Sequence, residues 1–317
     1  MTSETARQRA DRLTALPFEQ VGRASEGFFR GTGHALRELW QHRELQILLV
    51  RRELKARYKD SALGFLWTLI RPVMLLIIYY FAIGYFLGAQ RSIPMFGIFV
   101  FAGLTLWGLY ADILVLGTMS ILTNAGLIKK VYMPREIFPL ASVGSALFNF
   151  STQFLVLLAA IIVFGQFVWT PDLLYVFPAL LLVLLFGTAL ALLLSAFNVY
   201  LRDIQYLVDV AVLMLFWASP IVYSFGMVSG SSVGGTWVEQ LYLLNPITVA
   251  VLAFQRALWL HGPSVGAQFD EMGVKLSSMY PADLDLRLAI MIAIGAVFVW
   301  IAHRTFLRLQ GNFAQEI

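Results

Sequence analysis

Six apolar stretches of about 20 residues or more dominate this chain, and they restrict its fold more than any other feature. A helix rises 1.5 Å per residue, so a stretch of this length matches the ~30 Å hydrocarbon core of a bilayer. Backbone polar groups cannot meet water there, which favours helices. The stretches lie near residues 63–88, 97–121, 137–165, 173–198, 206–225 and 287–306. The pattern predicts an all-α membrane protein with six transmembrane helices, built from a transmembrane domain over 63–317.

The composition agrees with a membrane domain. Hydrophobic residues make up 59% of the chain and charged residues 13%, against about 25% charged residues in soluble domains. Of the 23 lysines and arginines, 13 lie in residues 1–71, and membrane topology explains this basic region more simply than nucleic-acid binding does. The chain contains no cysteine, which excludes disulfides and thiolate sites. Its four histidines are scattered, so we predict no metal site.

The linkers between the spans predict the orientation. Lys129, Lys130 and Arg135 lie between the second and third spans, and further basic residues follow the fourth and sixth. The linkers 89–96 and 166–172 contain a single basic residue, Arg91. Because basic linkers face the cytoplasm, we expect both termini on the cytoplasmic side of the inner membrane.

A basic segment precedes the first span. Residues 1–34 are polar and glycine-containing and predict a flexible cytoplasmic tail, whereas 35–62 predict an amphipathic helix along the membrane surface. Its candidate contact residues are Arg51, Arg52, Lys55, Arg57 and Tyr58. These residues either determine topology and contact acidic lipids or a protein partner, or they also attract an anionic substrate.

The segment between the fifth and sixth spans does not fit a simple crossing. Two apolar pieces flank the turn signal Asn245-Pro246, and neither piece is long enough to cross. A single crossing by this segment would place Arg304 and Arg308 outside, against the positive-inside bias. We therefore predict two short re-entrant helices over 236–260, followed by an exposed outer loop over 261–286.

The second basic segment, 124–136, connects the second and third spans. It predicts a short amphipathic helix over 124–135 that begins with an Asn124 cap and ends at Pro134. Such a helix docks in a groove of a cytoplasmic protein, or the segment is an ordinary basic loop. The candidate docking residues are Asn124, Leu127, Ile128, Lys129, Lys130, Tyr132, Pro134, Arg135 and Glu136.

Two ionisable residues fall inside predicted spans. Arg71 and Asp112 lie at similar depths, which predicts that they pair or share a polar network, since a lone charge in a bilayer costs ~2.5–3.5 kcal/mol. In the alternative, Arg71 extends alone towards the interface and Asp112 faces a water-filled path. Trp67, Tyr80 and Tyr110 are candidates for contact with sugar rings, and an interfacial aromatic belt is the ordinary alternative.

The order and spacing of these motifs resemble the permease subunits of ABC-2 type polysaccharide exporters, which include O-antigen, teichoic acid and galactan exporters. The first motif matches at Arg57, Tyr58, Ser61, Leu63, Gly64, Leu66 and Trp67. The second, more specific motif matches at Leu127, Ile128, Lys130, Val131, Tyr132, Pro134, Arg135 and Glu136. Further matches are Asn198, Arg202, Asp203, Asn245-Pro246, Gly311 to Ala314 and Glu316.

The resemblance implies a homodimer that works with two copies of a separate ATP-binding subunit. The chain itself contains no Gly-x-x-x-x-Gly-Lys-[Ser/Thr] sequence, so we predict no catalytic site here and expect ATP and Mg²⁺ in the partner. The resemblance also implies that 124–136 couples the two subunits, and that the cargo is a glycan on a polyprenyl pyrophosphate lipid. An ABC-2 exporter of a lipid or small drug, a proton-coupled transporter that uses Asp112, and a membrane glycosyltransferase or hydrolase remain the alternatives.

Overall fold

The computed structural model describes residues 37, 39–58, 66–130, 133–272 and 279–316, without the side chains of 57, 58, 71 and 314. The chain divides into Met1–Gln41 and His42–Ile317. Of the first unit only 37 and 39–41 are described, and they are helical. The predicted tail 1–34 lies outside the described residues. Everything below concerns the second unit.

The second unit is helical, and its described residues contain no β-strand, which confirms the predicted fold class. Five helices are long and apolar enough to cross a membrane, or six if one bent pair counts as a span. The helices are α1 (Arg43–Tyr58), α2 (Leu66–Tyr79, continued by a π-helix over Tyr80–Phe86), α3 (Phe96–Thr123), α4 (Ala125–Ile128), α5 (Ile137–Val163), α6 (Val176–Tyr200), α7 (Ile204–Trp217), α8 (Phe225–Ser229), α9 (Trp237–Leu243), α10 (Pro246–Leu258), α11 (Pro263–Met272), α12 (Leu284–Leu309) and α13 (Phe313–Glu316). A 3-10 turn, Pro171–Tyr175, precedes α6.

Helix α3 forms the centre of the bundle and packs against α5, α6, α7 and α10. Small residues allow the closest approach. A Cβ added to Gly117 would lie 2.6 Å from the Cβ of Ala191 on α6, and one on Gly187 would lie 3.0 Å from Ile113. Membrane helices gain little from apolar burial, so close van der Waals packing of this kind stabilises their crossings.

The fifth predicted span is not one continuous helix. The sequence predicts 206–225, but α7 ends at Trp217 and is ~21 Å long at 1.5 Å per residue. Pro220 stops it, because proline lacks an N–H and its ring clashes with the carbonyl four residues earlier. The chain continues without regular helix along α3, where Ile221 lies against Gly103. The predicted span is therefore helical over 206–217 and continues as turns over 218–224, which corrects the expectation of one continuous helix.

The bent pair α9 and α10 occupies the predicted re-entrant region, and the two helices meet at 77°. The Asn245 side chain accepts a 3.1 Å hydrogen bond from the N–H of Ile247, and Pro246 occupies the first helical turn. Helix α10 is buried along most of its length. Gln240 of α9 and Arg256 of α10 both contact the first turn of α12. A bent pair of this kind is a broken span or a re-entrant pair. The re-entrant arrangement stays a prediction, and we refer to α9 and α10 by it as the re-entrant pair.

Polar side chains of the re-entrant pair donate hydrogen bonds to the backbone carbonyls just after the end of α7. The side-chain amide of Gln255 donates to the carbonyl oxygen of Pro220 at 2.9 Å. The hydroxyl of Thr248 donates to the carbonyl oxygen of Ala218 at 3.1 Å. The amide of Asn245 lies 3.3 Å from the hydroxyl of Ser219. Irregular backbone is tolerated at membrane depth only where protein or water satisfies it. The re-entrant pair performs that role for 218–220.

Candidate functional site

Helix α1 is attached to the bundle at the end that carries most of the basic linker residues, which we call the basic end. The guanidinium of Arg52 donates to Oδ1 of Asn124, and the next residue, Glu53, accepts a 2.7 Å hydrogen bond from the hydroxyl of Ser145. Gly144 admits Val50, since a Cβ there would lie 2.8 Å from that side chain. Adjacent residues of α1 thus contact the end of α3 and the side of α5.

The basic residues predicted on α1 divide into two groups. Arg51 and Lys55 are exposed and have no hydrogen-bond partner among the contacts that the structure describes, whereas Arg52 is bonded to Asn124. The side chains of Arg57 and Tyr58 lie outside the described residues. Arg51 and Lys55 therefore offer the positive charge, and Arg52 connects α1 to the loop after α3.

The loop after α3 contains a shorter helix than the sequence predicts. Among the described residues of this loop, regular helix is limited to α4, Ala125–Ile128, and neither Lys129 and Lys130 nor Met133 is helical. A proline disfavours the α region for the residue before it, here Met133. Asn124 does not cap α4. Its amide instead donates to the carbonyl oxygen of Ser120 at 2.8 Å and closes the end of α3. Its oxygen accepts from Arg52, so the predicted cap is replaced by a contact with α1.

The remaining residues of this loop separate into buried and exposed sets. Ile128 is buried and Leu127 half-buried, so they attach the loop to the bundle, while Lys129 and Lys130 are exposed. Tyr132 lies outside the described residues. The exposed lysines give the segment a positively charged outer surface.

The end of the loop contacts the end of the last long helix. The guanidinium of Arg135 donates to the carbonyl oxygen of Gln310 and lies 5.8 Å from the ring centre of Phe313. Glu136 is 1% exposed, and its Oε1 lies 3.6 Å from Nε2 of His303 on α12. The motif at 134–136 and the motif at 311–314 are separate in sequence, and the structure brings them together.

The C-terminal turn is itself held by aromatic contacts. The ring of Phe313 lies 6.0 Å from that of Tyr200 and 5.6 Å from that of Phe306. The hydroxyl of Tyr200 donates to the carbonyl oxygen of Leu309 at 2.7 Å. The turn that receives Arg135 is therefore fixed to α6 and α12.

A polar stripe on α5 was missed by the sequence interpretation. Asn149 is buried and donates to Oδ2 of Asp112 at 2.8 Å, and Ser145 contacts Glu53. The members of the stripe are Ser142, Ser145, Asn149 and Gln153. Their helical spacing within an apolar span is the signal that could have revealed it. Asp112 thus belongs to a polar network, while its pairing with Arg71 stays a prediction because that side chain is not described.

The three aromatic candidates have different surroundings. Trp67 is 52% exposed and Tyr80 40% exposed, so both lie on the surface of the single chain. Tyr110 is buried, with its ring 5.8 Å from that of Trp107. Trp67 and Tyr80 can therefore reach a molecule outside the chain, whereas Tyr110 packs in the core of this conformation.

A charged cluster at the opposite end of the bundle was also missed. Arg256 of α10 lies 3.1 Å from Asp172 and 3.5 Å from Asp285, and the rings of Tyr175 and Tyr280 flank its guanidinium at 4.3 and 4.8 Å. His261 also contacts Asp172. The cluster holds the end of α10 against the starts of α6 and α12.

Residues 44–259 match the model of the family described as ABC-2 type transporter. The chain is 30% identical over 283 residues to the O-antigen export system permease protein RfbA of Myxococcus xanthus, covering 89% of this chain and 98% of that protein. Two proteins of the same name from Klebsiella pneumoniae are 28% and 27% identical over 222 residues, which is 69% of this chain and 81% of each.

Proposed function

Since this chain belongs to the ABC-2 type transporter family, we propose that it is the permease subunit of an ATP-driven polysaccharide exporter. One observation carries the proposal. The similarity to a relative named as an O-antigen export permease extends over 98% of that protein. It spans 283 residues and 89% of this chain, far more than one hydrophobic stretch.

The energy for transport comes from a separate ATP-binding subunit, present in two copies, which holds ATP and Mg²⁺. The chain has no P-loop sequence of its own. The segment 124–136 is the contact with this partner. Lys129 and Lys130 are exposed for docking, while Arg135 and Glu136 connect the segment to the bundle. This chain thus transports without being an enzyme.

The working unit is a homodimer in which α2 faces the second copy. In the single chain, α2 carries a broad surface of exposed apolar residues, including Met74 at 51% and Ile78 at 54% exposure. Lipid can cover such a surface, but so can a second copy of the chain. Trp67 and Tyr80 belong to the same helix and its π-helical extension, so dimerisation through α2 places them beside the passage between the copies.

The cargo is a glycan attached to a polyprenyl pyrophosphate, taken from the cytoplasmic leaflet of the inner membrane. Both termini and the basic end face the cytoplasm in this arrangement. The lipid end of such a cargo is anionic, and exposed Arg51 and Lys55 attract it with ~1 kcal/mol per basic residue. Aromatic faces such as Trp67 can stack on the apolar faces of sugar rings without removing water from the hydroxyls.

Transport follows from a shift between two states of the permease. Nucleotide binding closes the ATP-binding subunits and displaces the segment 124–136 that rests on them. Because this segment contacts α1, α3 and the end of α12 and leads directly into α5, its displacement favours one packing of the bundle over another. The glycan leaves towards the outer face.

Complementation tests this function directly. The chain and an ATP-binding subunit from the same genome are expressed in a bacterium that lacks its own O-antigen export permease. We expect polysaccharide on the cell surface, detected by antibody on intact cells, and its loss when the nucleotide-binding lysine of the partner is replaced. Polysaccharide that stays inside cells whose membranes contain both subunits would contradict the proposal.

A further inference from the structure

Helix α12 spans the bundle and has polar contacts at both ends. At the basic end, His303 lies 3.6 Å from Glu136, and the carbonyl of Gln310, just after the helix, accepts from Arg135. The helix has 26 residues and is therefore ~39 Å long. Its contacts at the basic end join it to the same segment that we assign to the ATP-binding partner.

At the opposite end, the first turn of α12 contacts both re-entrant helices. Nη2 of Arg287 donates to Oε1 of Gln240 on α9 at 2.6 Å, and Oδ1 of Asp285 lies 3.5 Å from Arg256 on α10. Oδ2 of Asp283 lies 2.9 Å from Nη2 of Arg287, and this ion pair fixes the position of the guanidinium. One helix thus joins the coupling segment to the re-entrant pair through a few charged and polar side chains.

The sequence of α12 suits a stiff connector. It contains no proline, and its single glycine, Gly295, lies where a Cβ would come within 3.0 Å of Phe186 on α6. The side away from α6 is an exposed apolar stripe formed by Leu286, Ile290, Ile294, Val297 and Ile301. In a bilayer this stripe faces fluid lipid, so α12 is supported by a packed helix on one side and is free to shift on the other.

The re-entrant pair transmits any movement to the broken crossing. Gln255 and Thr248 of α10 donate to the carbonyls of Pro220 and Ala218. A shift of α10 therefore changes the backbone environment at the point where α7 ends. The contacts form one continuous physical chain from 124–136 to 218–220, with a rigid element in the middle.

We propose that α12 is the mechanical link that carries displacement of the segment 124–136 to the re-entrant pair, with Arg287 and Asp285 as positioning residues for that pair. This inference rests on the proposed function. The role of Arg287 is to hold α9 to the moving helix.

A single introduced cysteine can report on this link, because the natural sequence has none. Leu241 of α9 is 58% exposed, and the variant Leu241→Cys is labelled with an environment-sensitive fluorophore and reconstituted with the ATP-binding subunit. We expect ATP with vanadate to change the fluorescence. Adding Arg287→Gln should remove most of that change, because α9 then loses its side-chain hydrogen bond to α12.

Conservative and matched variants separate coupling from folding. Arg287→Lys, which keeps the charge and a donor, should restore most of the response. Arg91→Gln, at an exposed arginine of the same end, should leave it unchanged. Basal ATP hydrolysis should be the same in all of them, because the altered residues lie far from the partner.

Two results would overturn the inference while leaving the proposed function intact. One is a full nucleotide response in Arg287→Gln. The other is a parent complex that exports polysaccharide with ATP but shows no response at Leu241→Cys. A complex that neither exports nor responds would instead overturn the proposed function, and the inference with it.

Discussion

The side-chain amide of Gln255 donates a 2.9 Å hydrogen bond to the carbonyl oxygen of Pro220, and both residues are buried. This contact allows a proline to interrupt a membrane crossing without leaving an unsatisfied carbonyl. A carbonyl left without a partner in a dry environment costs about 1–3 kcal/mol in protein mutational data. The fifth crossing therefore depends on a residue 35 positions later in the chain.

Replacing Gln255 should consequently destabilise the permease. We expect Gln255→Leu to lower the free energy of unfolding by about 1–3 kcal/mol, because the Pro220 carbonyl loses its donor. The measurement is thermal unfolding of the purified protein in detergent. Gln268→Leu, at an exposed position on α11, is the control and should behave like the parent. Equal unfolding temperatures for the two variants would argue against the role of Gln255.

Gly117 should tolerate no side chain. A Cβ there would lie 2.6 Å from the Cβ of Ala191, so Gly117→Val must separate α3 from α6. Overpacking of this kind costs about 1–3 kcal/mol, which thermal unfolding in detergent would detect. Gly266→Ala on α11 meets no atom within 4 Å and should be neutral or slightly stabilising. A fully stable Gly117→Val protein would refute the close crossing.

Substitutions at the neighbours Arg51 and Arg52 should impair export in different ways. Arg51 is exposed, so Arg51→Ala should weaken capture of an anionic lipid-linked glycan by ~1 kcal/mol, about fivefold in affinity, and added substrate should compensate. Arg52 contacts Asn124, so Arg52→Ala should lower maximal export and saturating substrate should not restore it. Initial export rates from inverted vesicles at graded substrate concentrations distinguish the two. Identical concentration dependence would contradict this division.

Substitutions at Lys129 and at Arg135 should distinguish docking of the ATP-binding subunit from coupling of ATP hydrolysis to export. Lys129 is exposed, so Lys129→Glu with Lys130→Glu should weaken association with the ATP-binding subunit in a salt-dependent manner. Arg135 bonds to the Gln310 carbonyl, so Arg135→Ala should leave association intact and lower the amount of polysaccharide exported per ATP. Co-purification at two salt concentrations, together with ATP hydrolysis and export, tests both. Loss of association in Arg135→Ala would assign this residue to docking instead.

The pair Asp283 and Arg287 should respond to acid. The hydrogen bond from Arg287 holds the pKa of Asp283 below its ordinary value of 3.8. The pair's contribution to stability is therefore fully present above this value and is lost as the pH falls through the lower pKa of the folded state. At pH 7, Asp283→Asn should unfold at a slightly lower temperature than the parent, and the difference should disappear well below pH 3.8. A difference that persists in acid would mean that the carboxylate charge is not its source.

Local sequence patterns predicted much of the fold. The long apolar helices and the turn at Asn245-Pro246 depend on length, hydropathy and proline, which act within a few residues. The same reasoning failed at Pro220, where a continuous span was expected. Sequence hydropathy over 206–225 is high on both sides of the proline, so it does not show whether a distant donor satisfies the interrupted backbone.

The sequence named candidate site residues but not the contacts that they make. Asn124 was expected to cap the helix that follows it. Its side-chain amide instead donates to the carbonyl of Ser120, and its side-chain oxygen accepts from Arg52, so neither group serves as the cap. In the sequence, the polar stripe on α5 and the cluster around Arg256 are marked only by the spacing of a few polar residues, which is a weak indication. A polar residue within an apolar stretch indicates that a partner exists, without identifying it.

The sequence by itself determined that this protein is a helical membrane protein and which end of it is basic. These properties follow from the solvent preference and backbone limits of each residue and its close neighbours. Only the tertiary structure decided that Arg135 reaches Gln310, 175 positions away, and that Arg287 reaches Gln240. Such contacts depend on how the helices cross, because a side chain bonds to whatever the packing places within about 3 Å of it.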